Sequence, residues 1–61
     1  MKKIQESDIK SNRKFLSEPS TFFFEGGTIT HSWIDNDYPV LVVTIQDMNG
    51  IVLSHEYFAF Q

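Results

Sequence analysis

Residues 39–60 read PVLVVTIQDMNGIVLSHEYFAF. Two runs rich in β-branched and aromatic residues, 39–47 and 51–60, flank a turn at Asp47-Met48-Asn49-Gly50, and this pattern is typical of a β-hairpin. Asp is favoured at the first position of a type I turn and Gly at its fourth, so we expect the turn to start at Asp47, with Gly50 as a left-handed bulge. This hairpin indicates that the fold is built on an antiparallel sheet.

The turn also decides which side chains share a face of the sheet, because a slip of one residue turns every side chain over. A two-residue turn at Asn49-Gly50, which pairs Met48 with Ile51, would mix apolar and polar side chains on one face. The type I turn separates them better, and we therefore prefer it. It predicts three cross-strand pairs: Ile45 with Leu53, Val43 with His55, and Leu41 with Tyr57. The predicted core face then carries Phe22, Phe24, Ile29, Trp33, Leu41, Val43, Ile45, Leu53 and Tyr57.

The residues before this hairpin predict a second hairpin and a short helix. Thr21–Phe24 and Thr28–Ile34 have the composition of strands, with a turn at Gly26-Gly27 between them. Residues 7–17 are predicted to form a helix that ends before Pro19, since the residue before a proline disfavours helical geometry.

We therefore predict a single small domain over residues 1–61 with a mainly β (α+β) fold. A flexible tail at residues 1–6 and a short helix at 7–17 precede an antiparallel β-meander of three to four strands over residues 20–61. A domain of this size buries only about 60% of its unfolded surface and is marginally stable alone. The chain has no cysteine, so disulfides and thiolate metal sites cannot support it. We therefore expect a homodimer or a higher oligomer.

Apolar residues on the outer side of the predicted sheet indicate where this oligomer forms. The predicted oligomer interface consists of Phe23, Val40, Val42, Phe58 and Phe60. The final strand also has no Lys or Pro to protect its edge from pairing. We expect that edge to pair with a second copy of the chain or with a partner.

Charge is distributed unevenly along the chain, whose net charge is -3 at pH 7. All the Lys and Arg residues precede Phe15, and they are Lys2, Lys3, Lys10, Arg13 and Lys14. Acidic contacts to a protein target with a basic surface are predicted at Glu25, Asp35, Asp37, Asp47 and Glu56. The cationic residues are the candidate contacts to phosphates, which keeps nucleic-acid binding as an alternative.

Residues that carry catalysis or bind metals do not form a recognisable set here. His31 and His55 are candidates for a general base, but no Ser, Cys or carboxylate has the spacing of a nucleophile–histidine arrangement. Asp35-Asn36-Asp37 resembles the start of a calcium loop and lacks its later Gly and Glu. Gly26-Gly27 lacks the flanking pattern of a phosphate loop. We therefore predict no enzymatic activity, no cofactor and no metal.

Together these features predict a small acidic protein that binds another protein and, as an oligomer, inhibits or modulates it. Proteins of this size and composition are common among the inhibitors that phages and mobile elements encode, including anti-defence proteins, which is an analogy and not a property of the fold. No stretch is apolar enough to suggest a membrane span, and we expect a cytoplasmic protein. Three alternatives stay open: a nucleic-acid-binding regulator, a structural subunit assembled by β-strand addition, and a small enzyme with a site between subunits around His31 or His55.

Overall fold

The computed structural model describes residues 1–10 and 14–60, which form one six-stranded antiparallel sheet. Its strands are β1 (Lys2–Ile4), β2 (Lys14–Phe15), β3 (Ser20–Phe24), β4 (Gly27–Asp35), β5 (Pro39–Asp47) and β6 (Val52–Ala59). The strands lie in the order β1-β6-β5-β4, and both β2 and β3 pair with the other edge of β4. The mainly β class and the antiparallel meander of β3 to β6 are confirmed.

The predicted helix at residues 7–17 is wrong. A single 3₁₀ turn covers Glu6–Asp8, and Lys14–Phe15 is a strand whose residues lie opposite Asp35 and Ile34 of β4. Residues 11–13, in the middle of the prediction, lie outside the described residues. A short isolated helix is marginal in water, whereas the edge of β4 offers backbone partners to an extended segment.

The predicted flexible tail at residues 1–6 also differs from the structure, because it contains β1. Lys2 lies opposite Ala59 and Ile4 lies opposite Tyr57 in an antiparallel ladder. The edge of β6 that we expected a second copy to pair is therefore paired by the chain itself over residues 57–59.

The turn of the C-terminal hairpin starts at Asp47, as predicted. The Gly50 N–H donates to the Asp47 carbonyl oxygen at 3.1 Å, and Gly50 has a φ of +82°. The Asp47 Oδ1 atom accepts hydrogen bonds from the backbone N–H groups of Asn49 and Ile51, at 2.8 and 2.9 Å. The side chain of Asp47 thus stabilises the turn from inside.

The predicted pairing of the two strands beyond this turn is wrong. Gln46 lies opposite Val52 as the preferred turn requires, but the register then shifts by one residue at Leu53, which is a β-bulge. The observed pairs are Ile45 with Ser54, Thr44 with His55, Val43 with Glu56, Val42 with Tyr57, Leu41 with Phe58, and Val40 with Ala59. The bulge therefore turns the remainder of β6 over relative to the prediction.

The core lies on the face that receives Val40 and Val42, and we refer to this as the closed face. Its buried apolar residues are Ile34, Val40, Tyr57 and Ala59, with Ile4, Ile9, Tyr38 and Val42 packed against them. The bulge places Tyr57 and Ala59 on this face, opposite Val42 and Val40, so that apolar side chains of both strands are buried together.

Asn36 attaches the N-terminal segment to the loop that connects β4 and β5. Asn36 is buried, with a relative exposure of 3%. The Asn36 Oδ1 atom accepts a hydrogen bond from the Lys10 N–H at 2.7 Å, and Nδ2 donates to the Asp8 carbonyl oxygen at 2.9 Å and to the Tyr38 hydroxyl at 3.2 Å. These bonds hold residues 8–10 beside the core.

Candidate interaction surface

The second face of the sheet carries large apolar side chains that no described segment buries, and we refer to it as the open face. It consists of Phe22, Ile29, His31, Trp33, Leu41, Val43, Ile45, Phe58 and Phe60, as the cross-strand pairs and the ring contacts place them. Glu56 and Ser54 of β6 lie on the same side of the sheet, opposite Val43 and Ile45. Phe22 and Phe60 are 56% and 59% exposed, and the remaining residues are half-buried. Six of the nine residues that we predicted to form the core therefore lie on the open face instead.

Aromatic contacts order the two margins of the open face. Phe60 meets Trp33 edge to face, with ring centroids 6.3 Å apart. Phe22 stacks on His31 at 5.2 Å with nearly parallel rings. Such pairs add stabilisation beyond the area they bury.

A second apolar surface lies at one end of the sheet, where the β3–β4 turn and the β5–β6 turn meet. They lie side by side because Gly27 pairs with Asp47. We define the turn end as Phe23, Phe24, Glu25, Asp47, Met48, Ile51, Val52 and Leu53. Phe23 and Met48 are 84% and 81% exposed, and both line a depression of about 280 Å³. Monomeric proteins rarely expose contiguous apolar side chains on this scale without a functional reason.

The five predicted acidic contacts do not form one surface. Glu25 and Asp47 belong to the turn end, Asp35 and Asp37 lie near the opposite end of the sheet, and Glu56 lies between them on β6. No Lys or Arg follows Lys14 in the sequence. Lys2, Lys3 and Lys14 lie on β1 and β2, whose ladders are at the end of the sheet opposite the turn end. Within the described part of the chain, the two acids of the turn end therefore have no ion-pair partner.

The acids away from the turn end lie close to cations. Asp37 forms an ion pair with Lys10. The Ser54 hydroxyl donates to Glu56 Oε1 at 2.9 Å, and the Lys3 ammonium lies 3.1 Å from Oε2. The Ser54 hydrogen bond, followed by the hydrogen bond and charge of Lys3, lowers the pKa of the Glu56 carboxyl from its ordinary value.

The predicted nucleic-acid contacts are therefore interleaved with acids in the structure. Lys3 and Lys10 are paired with carboxylates, and Lys14 lies opposite Asp35 in the ladder of β2 and β4. Lys2 lies on β1, and Arg13 lies outside the described residues. A role for these five residues in binding phosphates stays a prediction.

The five residues of the predicted oligomer interface do not share a face, contrary to the assumption behind that set. Val40 is fully buried and Val42 packs against the core, whereas Phe58 and Phe60 belong to the open face. Phe23 belongs to the turn end. The shift at Leu53 is the physical reason, because it places the valines of β5 and the phenylalanines of β6 on opposite sides.

The two histidines lie on opposite faces instead of sharing one. His55 Nδ1 is 2.7 Å from the Thr44 hydroxyl, and Nε2 is 2.8 Å from the Tyr57 hydroxyl. His55 also borders a groove of about 270 Å³ on the closed face, together with Phe15, Pro19, Thr30, Ser32, Ile34, Val42 and Tyr57. His31 stacks on Phe22, and neither histidine has a carboxylate partner among the residues that the structure describes.

Residues 1–10 and 14–60 contain neither a cluster of metal-binding side chains nor a helix suited to a membrane. In this part of the chain, no three histidine or carboxylate side chains lie close enough together to hold a metal ion. No helix in the same ranges has the length and apolar character needed to cross a bilayer. Comparison of the chain with protein families, with curated proteins and with solved structures finds no match.

Sequence reasoning missed the turn end and the buried Asn36. Met48 and Ile51 occupy a turn where polar residues are usual, and this departure is a signal that points to the turn end. Asn36 gave no such signal, because an Asp-Asn-Asp tripeptide is equally typical of a solvated loop. Only the tertiary contacts distinguish its role.

Proposed function

We propose that this protein is a non-enzymatic binding module that attaches its turn end to another protein and thereby inhibits or modulates that protein in the cytoplasm. The observation that carries this proposal is the protrusion of Phe23 and Met48, the two most exposed large apolar side chains described, beside acids without a cation. Aromatic and methionine side chains of this kind are enriched at the centres of protein interfaces.

The chemistry of the turn end specifies the partner. An apolar depression on the target would take Phe23 or Met48, and lysines or arginines around it would face Glu25 and Asp47. Removing one such apolar side chain from water contributes about 1.5–3 kcal/mol. The acids contribute mainly to the rate of association and to the choice of partner.

Nucleic acid is the less favoured partner for a physical reason. Lys3 and Lys10 are each paired with a carboxylate, so binding a phosphate would first require breaking an ion pair. The turn end itself carries no cation at all. Both features oppose the charge pattern that phosphate binding needs.

The proposal is tested by photo-crosslinking from defined positions. A photoreactive phenylalanine analogue at position 23 should capture one protein in cells of the native source, and the analogue at position 48 should capture the same protein. The matched control is Phe15, an exposed phenylalanine (67%) on β2 at the opposite end of the sheet. The captured protein is then purified and its affinity for wild-type chain is measured.

Phe23→Ser should weaken this purified complex by about tenfold or more, whereas Phe15→Ser should leave it unchanged. Added salt should slow association, because Glu25 and Asp47 face cations. Equal capture from position 15, capture of nucleic acid, or an unchanged affinity of Phe23→Ser would each refute binding through the turn end.

A further inference from the structure

We infer that the open face is covered by a second copy of this chain, in a two-fold homodimer whose two sheets pack face to face. This inference goes beyond the proposed function, because it concerns a different surface and a different occupant. In such a dimer the turn ends lie at the ends of the strands and outside the packed faces, so both turn ends stay accessible to a target.

The first argument is the amount of surface that the single chain leaves in water. The accessible surface is 4505 Å², whereas a folded monomer of 7.1 kDa is expected to expose about 4,100 Å². Only four residues form the buried apolar core of the described chain. A sheet of this size needs a second layer to bury its other apolar face.

The second argument is the size of the open face. Its two central strands, β4 and β5, have nine residues each and are therefore about 30 Å long. With β3 and β6 beside them, the face is about 15 Å wide. Covering it on two copies removes roughly 1,000 Å² or more of accessible surface, which reaches the lower limit of specific protein interfaces. Two sheets pack in this way at a separation of about 10 Å.

The third argument is the arrangement of polarity on the face. Leu41, Val43 and Ile45 of β5 form its middle. Opposite them lie Trp33, His31 and Ile29 of β4 on one side, and Phe58, Glu56 and Ser54 of β6 on the other. The charged pair of Lys3 and Glu56 lies at the β1–β6 margin. Apart from His31, the polar side chains therefore lie on the β6 and β1 side of the face, and a mainly apolar middle with a polar rim is typical of homodimer interfaces.

Charge favours a second copy over a different protein as the occupant. One positive and one negative side chain, Lys3 and Glu56, balance each other at the margin of the open face. In two copies related by a two-fold axis, each of these lysines is able to face the partner's glutamate. The turn end, with two acids and no cation, would repel its own copy.

The dimer is tested by sedimentation equilibrium, with Val43→Asp as the variant at the centre of the open face. Wild-type chain should sediment as a dimer of twice 7.1 kDa at micromolar concentration. Val43→Asp should raise the dissociation constant at least about a hundredfold, because the symmetry places the substitution twice in the interface. The matched control is Phe23→Asp at the turn end, which should stay dimeric.

A second variant keeps the test decisive if Val43→Asp fails to fold by circular dichroism. Phe60→Asp changes a residue that is already 59% exposed in the single chain, so the fold should tolerate it while the dimer dissociates. The emission of Trp33, the only tryptophan, should shift to longer wavelength as the wild-type dimer is diluted. A wild type that stays monomeric at high micromolar concentration, or a dimer that Phe23→Asp dissociates and Phe60→Asp does not, overturns the inference. Either result leaves the binding of a target by the turn end to its own test.

Discussion

Asn36→Ala removes the side chain that attaches the N-terminal segment to the sheet. Three hydrogen bonds are lost, to the Lys10 N–H, the Asp8 carbonyl oxygen and the Tyr38 hydroxyl. Alanine is smaller than asparagine, so the substitution leaves a small space where the amide group was. Water in that space would replace only part of the lost hydrogen bonding. The two backbone groups lose a partner that the extended segment cannot replace from its own residues.

The magnitude follows from these bonds. A buried backbone group that loses its partner costs about 1–3 kcal/mol, and the bonds of Asn36 are only partly buried, so we take the lower half of that range for each of the two backbone groups. The free energy of unfolding should therefore fall by about 2–4 kcal/mol. A domain of this size is stable by only about 3–9 kcal/mol, so the variant should be close to unfolding at room temperature.

Urea unfolding followed by Trp33 fluorescence measures the loss, with Asn49→Ala as the matched control. Asn49 is exposed and contributes its backbone N–H to the turn, so alanine there should change the free energy of unfolding by less than about 0.5 kcal/mol. Trypsin should also cleave the Asn36 variant faster after Lys10. A loss below about 1 kcal/mol for Asn36→Ala, or an equal loss in both variants, would refute the role assigned to Asn36.

Three further predictions have defined outcomes in the same unfolding assay. Gly27→Ala should lower the free energy of unfolding by more than about 3 kcal/mol, because the new Cβ would collide with a backbone carbonyl of β5. At Gly50 a Cβ meets open space, so Gly50→Ala should cost only the left-handed strain of about 1–2 kcal/mol. Similar losses in the two variants would contradict this. Asp37 has a φ of +69°, a conformation that β-branched residues disfavour and glycine tolerates. Asp37→Val should therefore destabilise the fold by about 1–2 kcal/mol, whereas Asp37→Gly should stay within about 0.5 kcal/mol of wild type. The reverse order would count against this backbone geometry. A serine hydrogen bond and a neighbouring lysine lower the pKa of Glu56 from its ordinary value of 4.5. The resulting stability is present above pH 4.5 and is lost as the pH falls through the lowered pKa. Wild type should therefore lose stability more steeply than Glu56→Gln over that range, and parallel curves of stability against pH would contradict this.

Local sequence signals were sufficient for the strands of the meander and for the turn at Asp47. The four strands of the meander and the turn at Asp47 were predictable because β-branched runs and an Asp–Gly turn act over a few residues. The same signals predicted a turn between β3 and β4 but placed it one residue late, at Gly26-Gly27: Phe24 lies opposite Gly27, so the turn is Glu25-Gly26. None of these predictions required knowledge of what lies on the other side of the sheet.

The faces of the sheet were not predictable in the same way, because a single bulge at Leu53 reverses them. Nothing in the run of apolar residues from Ile51 to Leu53 distinguishes a regular strand from a bulged one. The choice is made by the packing of Tyr57 against Ile34 and Val40, which are distant from it in sequence. The candidate interaction surfaces depend on that choice, so the sequence supplied their residues without their grouping.

The N-terminal segment was mispredicted for a related reason. Its helix signals were local and weak, whereas its observed conformation is decided by contacts with β4, β6 and Asn36. Extended geometry satisfies the backbone of β1 and β2 through the edges of the sheet, and this outweighs a marginal helix propensity.

The pairing of β1 with β6 has a consequence for how the molecule reaches its fold. Lys2 and Ala59 lie opposite each other, so this ladder closes a loop that includes nearly the whole described chain. Loop closure of this kind is entropically costly and slows folding compared with the local hairpins of β3–β4 and β5–β6. During synthesis, Ile4 has no partner until Tyr57 has been made, so the layer they share with Ile34 and Val40 is completed last. Until that moment the chain exposes its future core together with its open face, and newly made molecules are then most prone to aggregate.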